Sequence, residues 1–449
     1  MGVRNKKVLI VSYLFPPAGG VAVQRALSLA KYLPESGFEV HVLRASNPAA
    51  PVLDPGLLKH VPKSVTVHQA LTLELPFAFR QKVWGWLSGS KTKSPQGASG
   101  RAGRSRGWKS FVTRGVRRIL CPEPEVLWVP LALRKARQIV RQHGIDTVLV
   151  TAPPFSAFLV GNALKREFPG IQLISDFRDS WLDFYHKTFD YQQGDYTRRR
   201  SQQIERETAQ ASDFVVTVTQ SIRGELRQRY PEEPDEKFIH IPNGYDPDIF
   251  PRFKPCRPTE GKIVVTHLGT VYAASSPRYF LDALDGMPEP IRSAFEVRFI
   301  GRIADEERGT IESRNQPVRA IGFLPQSEAL RKFEETHYAL LVMTDAASLT
   351  GKLFEYLATG RPILAIAPRD GEIARILRET GGGWCVDPED RAGLAEMIRQ
   401  AYERARGGAN GFQPNWAAIQ RYERPRLVAE FGGLMSKREN DRVKVEVMR

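Results

Sequence analysis

Cysteine is scarce in this chain, with three residues, Cys121, Cys256 and Cys385, among 449. They lie far apart and form no Cys-x-x-Cys pair, so they supply neither a disulfide framework nor a zinc site by themselves. A reducing compartment follows. Long apolar runs are also missing, and nothing approaches the length of a membrane span. Arg4, Lys6 and Lys7 precede the apolar stretch from Val8 to Phe15, which imitates a short signal peptide. That stretch ends in Pro16-Pro17-Ala18-Gly19-Gly20 and reads instead as a buried parallel strand.

Two glycine patterns are absent. Thr350-Gly351-Lys352 looks like a fragment of a nucleotide P-loop, but Ala346 stands where the first glycine belongs. Leu353 replaces the hydroxyl residue that would hold magnesium, which argues against an ATPase. The Gly19-Gly20 turn lacks the G-x-G-x-x-G spacing of a dinucleotide fingerprint. Acidic residues, finally, are missing from Leu75 to Pro122.

What is present is a basic globular composition. The formal net charge is +15, with 42% hydrophobic and 26% charged residues. The excess favours anionic partners such as nucleotides, nucleic acid or an acidic membrane face. In the acid-free segment Trp84, Trp86, Trp108 and Phe111 stand among Lys82, Lys91, Lys93, Arg101, Arg104, Arg106 and Lys109. Residues 75–122 therefore read as a basic, aromatic insertion with a Gly/Ser-rich middle, suited to an anionic bilayer surface. Nucleic acid would engage the same side chains, and a solvated loop with no partner has the same composition.

Around the insertion, short β-leaning runs alternate with amphipathic helices, the pattern of parallel sheets covered by helices. A proline- and charge-rich stretch from Pro247 to Gly261 divides two such series. The expected organisation is α/β: a first domain over 1–235, a strand and linker over 236–261, a second domain over 262–435, and a polar tail over 436–449. Two Rossmann-like β/α/β domains so joined are expected to face each other across a cleft.

The candidate site residues come from loops at strand ends. After the apolar run Tyr338 to Met343, the stretch Ser348-Leu349-Thr350-Gly351-Lys352 opens a short helix. Free amides at a helix start and the positive end of its dipole make an anion site, and Lys352 adds a full charge. Glu355 lies on the same face, placed to accept from sugar hydroxyls. An ordinary capped helix with a solvated Lys352 and Glu355 fits the same spacing. Gly19 and Gly20 let backbone approach a ligand, or simply make a turn; Arg25, in the following helix, faces an anion or water. Asp176, Arg178 and Asp179 end a strand, where open parallel sheets bind ligands. An internal ion-pair cluster has the same signature.

These segments in this order are similar to the retaining glycosyltransferases of sequence family 4, which have the GT-B fold. The resemblance rests on Gly19-Gly20, on Asp176-Phe177-Arg178-Asp179-Ser180-Trp181, on Ile241-Pro242-Asn243-Gly244-Tyr245-Asp246 and on Lys352-Leu353-Phe354-Glu355-Tyr356-Leu357 through Ile363-Leu364. It implies a nucleoside diphosphate sugar held mainly by the C-terminal domain, a saccharide or lipid-linked acceptor held mainly by the N-terminal one, and no metal. Glu355 matches the second glutamate of the family's Glu-x7-Glu element, and Ala347 occupies the place of the first. Gly269-Thr270-Val271-Tyr272 stands where a Gly-Arg form is common, and Gly301-Arg302 with Lys352 are the substitutes.

Read through the resemblance, Lys352 with the amides near Thr350 and Gly351 stabilises the leaving diphosphate, and Glu355 holds the donor. Gly19 and Gly20 bring the acceptor-side loop to the phosphate, and Asp179 or Asp176 orients the acceptor hydroxyl. Arg25, Arg178, Asn243, Gly269, Thr270 and Arg302 complete the expected binding set. The expected protein is a cytoplasmic, metal-independent transferase in cell-surface polysaccharide or glycolipid synthesis. It would be peripheral on the inner membrane face through 75–122 and have no specific nucleic-acid partner. A GT-B epimerase and a non-catalytic protein binding nucleotide sugar or nucleic acid are the other classes left open.

Overall fold

The computed structural model describes residues 6–50, 52–74, 118–185, 195–254, 261–314, 317–345, 349–407 and 412–447. Residues 75–117 of the basic insertion over 75–122, Cys256 and Ala347 lie outside them. The chain divides into two compact units, 1–241 with 428–449 and 242–427.

The first unit is built on a seven-stranded sheet in the order β3-β2-β1-β4-β5-β6-β7. Its strands are β1 (Lys6–Val11), β2 (Phe38–Ala45), β3 (Thr66–Ala70), β4 (Thr147–Ala152), β5 (Gln172–Phe177), β6 (Phe214–Thr217) and β7 (Phe238–His240). Every pairing is parallel. β4 and β5 are buried along their whole length, as expected of strands with helices on both faces. The helices here are α1 (Val21–Tyr32), α2 (Val129–His143), α3 (Phe158–Glu167), α4 (Asp195–Ala211) and α5 (Gln220–Arg229). Leu9, Val11 and Leu43 of the sheet and Ala132, Ala136 and Ile139 of α2 share one core cluster.

The second unit repeats the plan with six parallel strands in the order β10-β9-β8-β11-β12-β13. They are β8 (Ile263–Leu268), β9 (Phe295–Ile300), β10 (Val318–Gly322), β11 (Tyr338–Val342), β12 (Ile363–Ile366) and β13 (Gly383–Val386). Successive residues of β11 enter opposite cores. Leu340 and Val342 join one cluster, Ala339 and Leu341 the other, the two-residue alternation of a strand buried on both faces. Among the helices, α6 (Arg278–Asp285) follows β8, α7 (Glu289–Arg292) precedes β9, α8 (Asp305–Glu312) follows β9, and α9 (Gln326–Glu334) follows β10. The next, α10 (Lys352–Thr359), is the helix expected from Lys352 onward. It stops at Gly360, which takes the left-handed conformation (φ 73°). Then come α11 (Glu372–Thr380), α12 (Arg391–Arg406), α13 (Trp416–Gln420) and α14 (Arg424–Val447).

The partition differs from the expected one at the C-terminus. Residues 428–449 cluster with the first unit, not the second, and α14 continues through the stretch read as a polar tail. The reason is apolar spacing in the part of the helix that precedes the polar tail. Leu427, Val428, Phe431, Leu434 and Met435 are buried at helical intervals, which anchors the helix. Strand order also reverses once in each unit, between β1 and β4 and between β8 and β11. Crevices at the carboxyl ends of strands flanking such a reversal are where open α/β sheets bind ligands.

Candidate functional site

In the second unit the reversal brings the end of β8 beside the start of α10. The Tyr356 hydroxyl, one turn into α10, accepts from the Leu268 N–H at 2.8 Å and donates to the Leu268 carbonyl at 3.3 Å. This fixes helix against strand. Lys352 at the first position of α10 reaches back over the strand end. Its Nζ lies 3.1 Å from His267 Nε2 and donates to the Thr270 carbonyl at 3.1 Å.

His267 is buried, and its Nδ1 sits 3.1 Å from the Leu340 carbonyl of β11. A carbonyl accepts only, so Nδ1 carries the proton and Nε2 accepts from the ammonium. Burial, reinforced by the Lys352 charge, drives the imidazole far below its ordinary range and keeps it neutral. Burial also lowers the Lys352 ammonium to about 8, against the pull of Glu355. Lys352 is thus held by two neutral acceptors.

The backbone makes room for this side chain. Gly269 has φ 120°, and a Cβ there would lie 2.4 Å from Lys352 Cε. Gly301 has φ 144°, and a Cβ there would meet the Gly269 carbonyl oxygen. Two residues with positive φ therefore pack backbone to backbone under the lysine stem. Beyond them Gly301, Arg302, Ile303, Arg308, Ala320, Gly322 and Phe323 line an open depression of about 400 Å³ at the carboxyl ends of β9 and β10. Arg302 is exposed there, and Phe323 presents an exposed ring.

Glu355 is half-buried on the same helix, and no hydrogen bond to its carboxylate occurs among the described residues. Burial raises its proton affinity, while Arg424 and Lys352 oppose the shift. The Arg424 Nε donates to the Gly244 carbonyl at 3.1 Å, next to the half-buried Asn243. At the helix start, the Lys352 N–H has a long contact (3.4 Å) with Thr350 Oγ1. The Thr350 and Gly351 amides have no hydrogen bond among the described residues. The stretch from Thr350 to Glu355 thus combines a cation with two amides and a carboxylate that have no hydrogen bond among the described residues.

In the first unit the outcome is mixed. Arg25 and Asp176, expected to meet substrate, meet each other instead. Arg25 donates to both carboxylate oxygens of Asp176 at 2.8 to 3.1 Å, Thr151 Oγ1 donates at 2.7 Å, and Asp176 is fully buried. Arg25 also donates to the Ile241 carbonyl and lies over the Phe431 ring. An internal ion pair, not a ligand contact, is the role of this pair. The Arg178 guanidinium is likewise spent on the backbone carbonyls of Ala152, Ala22 and Pro153. Its expected ligand contact is replaced by stitching β4, β5 and the start of α1.

Asp179 is different. It is half-buried without a hydrogen-bond partner among the described residues, and burial raises its carboxyl against the pull of Arg178. Gly20 caps α1 at φ 84° with open space where a side chain would be, beside an exposed Val21. Gly19 instead packs on the Val52–Asp54 segment, its N–H bonded to the Val52 carbonyl at 2.9 Å.

Sequence reading missed His267. A histidine near the end of an apolar strand looks like an ordinary core residue, and its partner Lys352 lies far along the chain. The signal available was its place directly before Leu268-Gly269, at the end of the strand that opens the second series.

Residues 94–249 match the model of Glycosyltransferase Family 4. A curated relative, "Probable glycosyltransferase WbjE" of Pseudomonas aeruginosa, is 27% identical over 148 residues, 32% of this chain. The match spans 37% of that relative's length. Sucrose-phosphate synthase from Thermosynechococcus elongatus superposes with a TM-score of 0.65 at 14% identity, covering 96% of this chain and 98% of its own. The Anabaena protein HepE, solved with UDP and glucose, gives 0.59 at 15% identity, covering 96% and 100%. The region matched by the family model thus sits in a chain with the GT-B fold, two Rossmann-like units with parallel sheets.

Proposed function

We propose that this protein is a glycosyltransferase that moves a sugar from a nucleoside diphosphate sugar to a saccharide or lipid-linked acceptor, with retention at the anomeric carbon. The observation that carries the reading is the Lys352 ammonium, seated on neutral acceptors at the strand-order reversal of the second unit. A cation already neutralised by a carboxylate offers an incoming diphosphate little. One held by an imidazole and a carbonyl keeps its charge for the ligand.

In this reading Lys352 and the Thr350 and Gly351 amides bind the diphosphate and stabilise the charge that grows on it as the glycosidic bond breaks. Glu355, with Asn243 and Arg424 nearby, accepts hydrogen bonds from donor hydroxyls. Arg302 supplies a second cation toward the nucleotide, with Gly269 and Thr270 forming the floor. Asp179 orients the acceptor hydroxyl, and Gly20 keeps the start of α1 open for it. The residues suffice to neutralise a diphosphate by amides and cations, and no step is assigned to a metal. A role in cell-surface polysaccharide or glycolipid synthesis, on the inner face of a membrane reached through 75–122, completes the proposal. Among the described residues no helix is long and apolar enough to cross a membrane.

The test is a thermal-shift panel of nucleoside diphosphates and their sugars, followed by turnover with the best stabiliser and an NMR reading of the product anomer. Binding raises the melting temperature by mass action. A panel with no stabiliser, or an inverted product, overturns the reading.

A further inference from the structure

Three histidines of the first unit meet outside the candidate site described above. His41 lies on β2, His68 on β3, and His143 is the last residue of α2. One candidate ligand atom from each lies within 4.8 Å of the other two. The register explains the meeting. Leu43 pairs with His68, so His41 and His68, each an even number of residues from that pair, share a face of the sheet. It is the face on which Leu43 packs with α2. The helix runs back over the strands and delivers its C-terminal residue toward their amino ends. The conserved geometry of ligand crevices is at the opposite, carboxyl ends.

We propose that His41, His68 and His143 form a binding site for one divalent transition-metal ion of the zinc class, with solvent in the fourth position. Two nitrogens on one tetrahedral zinc stand about 3.3 Å apart, given bonds of about 2.0–2.1 Å. His41 Nδ1 and His68 Nε2 are 3.1 Å apart. Imidazoles sharing such an ion place their ring centres about 5 Å apart by the same geometry. The ring centres here are separated by 5.3, 4.4 and 5.6 Å.

The outer shell fits as well. With Nδ1 of His41 on the metal, its Nε2–H donates to Glu39 Oε1 at 3.1 Å, and Glu39 is itself held by Lys7 at 3.2 Å. A carboxylate on the far nitrogen is how metal-binding histidines are oriented. The charged neighbours are Lys7 and Glu39 beside His41 and Lys135 near His68. His68 and His143 are half-buried, which leaves a way in for the ion. The site would tie the edge strand β3, which buries little of its own surface, to β2 and α2.

The experiment uses the full chain without an affinity tag, stripped with chelator and titrated with Zn²⁺ alone, and separately with Co²⁺ alone. One equivalent of Zn²⁺ per chain is expected, with a rise in melting temperature. Co²⁺ is expected to give the intense visible bands of a four-coordinate site. His143→Gln should weaken Zn²⁺ binding at least about tenfold, and Glu39→Gln about ten- to a hundredfold. No Zn²⁺ binding and no Co²⁺ bands in the wild type, or equal binding by wild type and His143→Gln, overturns the proposal. The Co²⁺ spectrum of the wild type decides the matter should a variant fail to fold.

Discussion

Lys352 Nζ rests 3.1 Å from the Nε2 of His267, a neutral imidazole whose other nitrogen is committed to the Leu340 carbonyl. The pairing gives the lysine a fixed position without cancelling its charge. Replacing Lys352 by alanine removes the cation and leaves His267 with a free acceptor but no buried unpaired charge. The expected outcome is a protein that melts no lower than wild type at pH 7 and has lost most of the stabilisation by nucleoside diphosphates. Thermal-shift titration of both proteins checks it. An undiminished ligand response in Lys352→Ala would remove the lysine from the site.

The same burial makes binding depend on pH. The Lys352 pKa is lowered to about 8 by desolvation. Below that value the ammonium is present; above it the neutral amine takes over. A bound diphosphate favours the charged form, so binding and protonation support each other. Affinity for a nucleoside diphosphate sugar, whose diphosphate does not titrate here, is expected to be flat below pH 8. Above it, affinity should fall by up to about tenfold per pH unit. For the free protein the sign is reversed. Because the folded pKa lies below that of the unfolded chain, this residue costs stability below pH 8. That cost is relieved as pH rises toward the unfolded value. Calorimetry between pH 7 and 9.5, with Lys352→Met as the control lacking the slope, checks both.

The floor beneath the lysine admits no side chain. Gly269→Ala would place a methyl 2.4 Å from Lys352 Cε at φ 120°. It is expected to cost about 1–3 kcal/mol of stability through backbone strain and to displace the ammonium. Ligand response and melting temperature should therefore fall together, whereas Lys352→Ala lowers the ligand response alone. Measuring both quantities on both variants separates floor from cation.

Arg25 and Asp176 offer the opposite contrast. The carboxylate is fully buried and accepts from the guanidinium and from Thr151. Arg25→Met leaves a buried charge without its partner, at a cost of about 3–5 kcal/mol. The melting temperature should drop strongly, while nucleotide affinity, measured well below the new midpoint, should stay near wild type. A selective loss of affinity with unchanged stability would restore Arg25 to a binding role.

These contrasts mark where the sequence was legible. The second-unit helix tip could be read because its parts are contiguous. Apolar strand, polar loop, Lys352, Glu355 and Gly360 follow one another, and local chemistry fixes their order. The two-unit α/β plan was legible for the same reason, from β1, β4 and β11, each of which contains a continuous apolar run. β3 was missed because it is a half-exposed edge strand, Thr-Val-His-Gln-Ala, with neither a run nor an alternation. α8 was missed because its first turn is Asp305-Glu306-Glu307 and only Glu307 and Ile311 are buried. Asp176 and Arg178 were read as site residues because charges at a strand end look the same whether they face a ligand or each other. Only the partners, Arg25 and the carbonyls of Ala22, Ala152 and Pro153, distinguish the cases. His267 needed a tertiary contact across much of the second unit.

Glu355 ties stability to function most directly. Its carboxylate is half-buried with no hydrogen bond among the described residues, and burial raises its pKa despite Arg424 and Lys352. A folded pKa above the unfolded one means that the ionised group opposes folding at neutral pH, and that this opposition fades as pH falls. Glu355→Gln keeps the shape and removes the charge. The free protein is therefore expected to melt higher than wild type at pH 7, with the difference shrinking as the pH is lowered toward 4. The same variant should bind a nucleotide sugar more weakly, because a glutamine oxygen accepts less strongly from sugar hydroxyls than a carboxylate does. Its response to the bare nucleoside diphosphate should be reduced less than its response to the sugar-bearing donor. A carboxylate kept against its own folding cost is the signature of a residue retained for its ligand. If Glu355→Gln melts lower than wild type and binds both ligands equally well, Glu355 is a structural partner of Arg424 and the donor contact must be sought elsewhere.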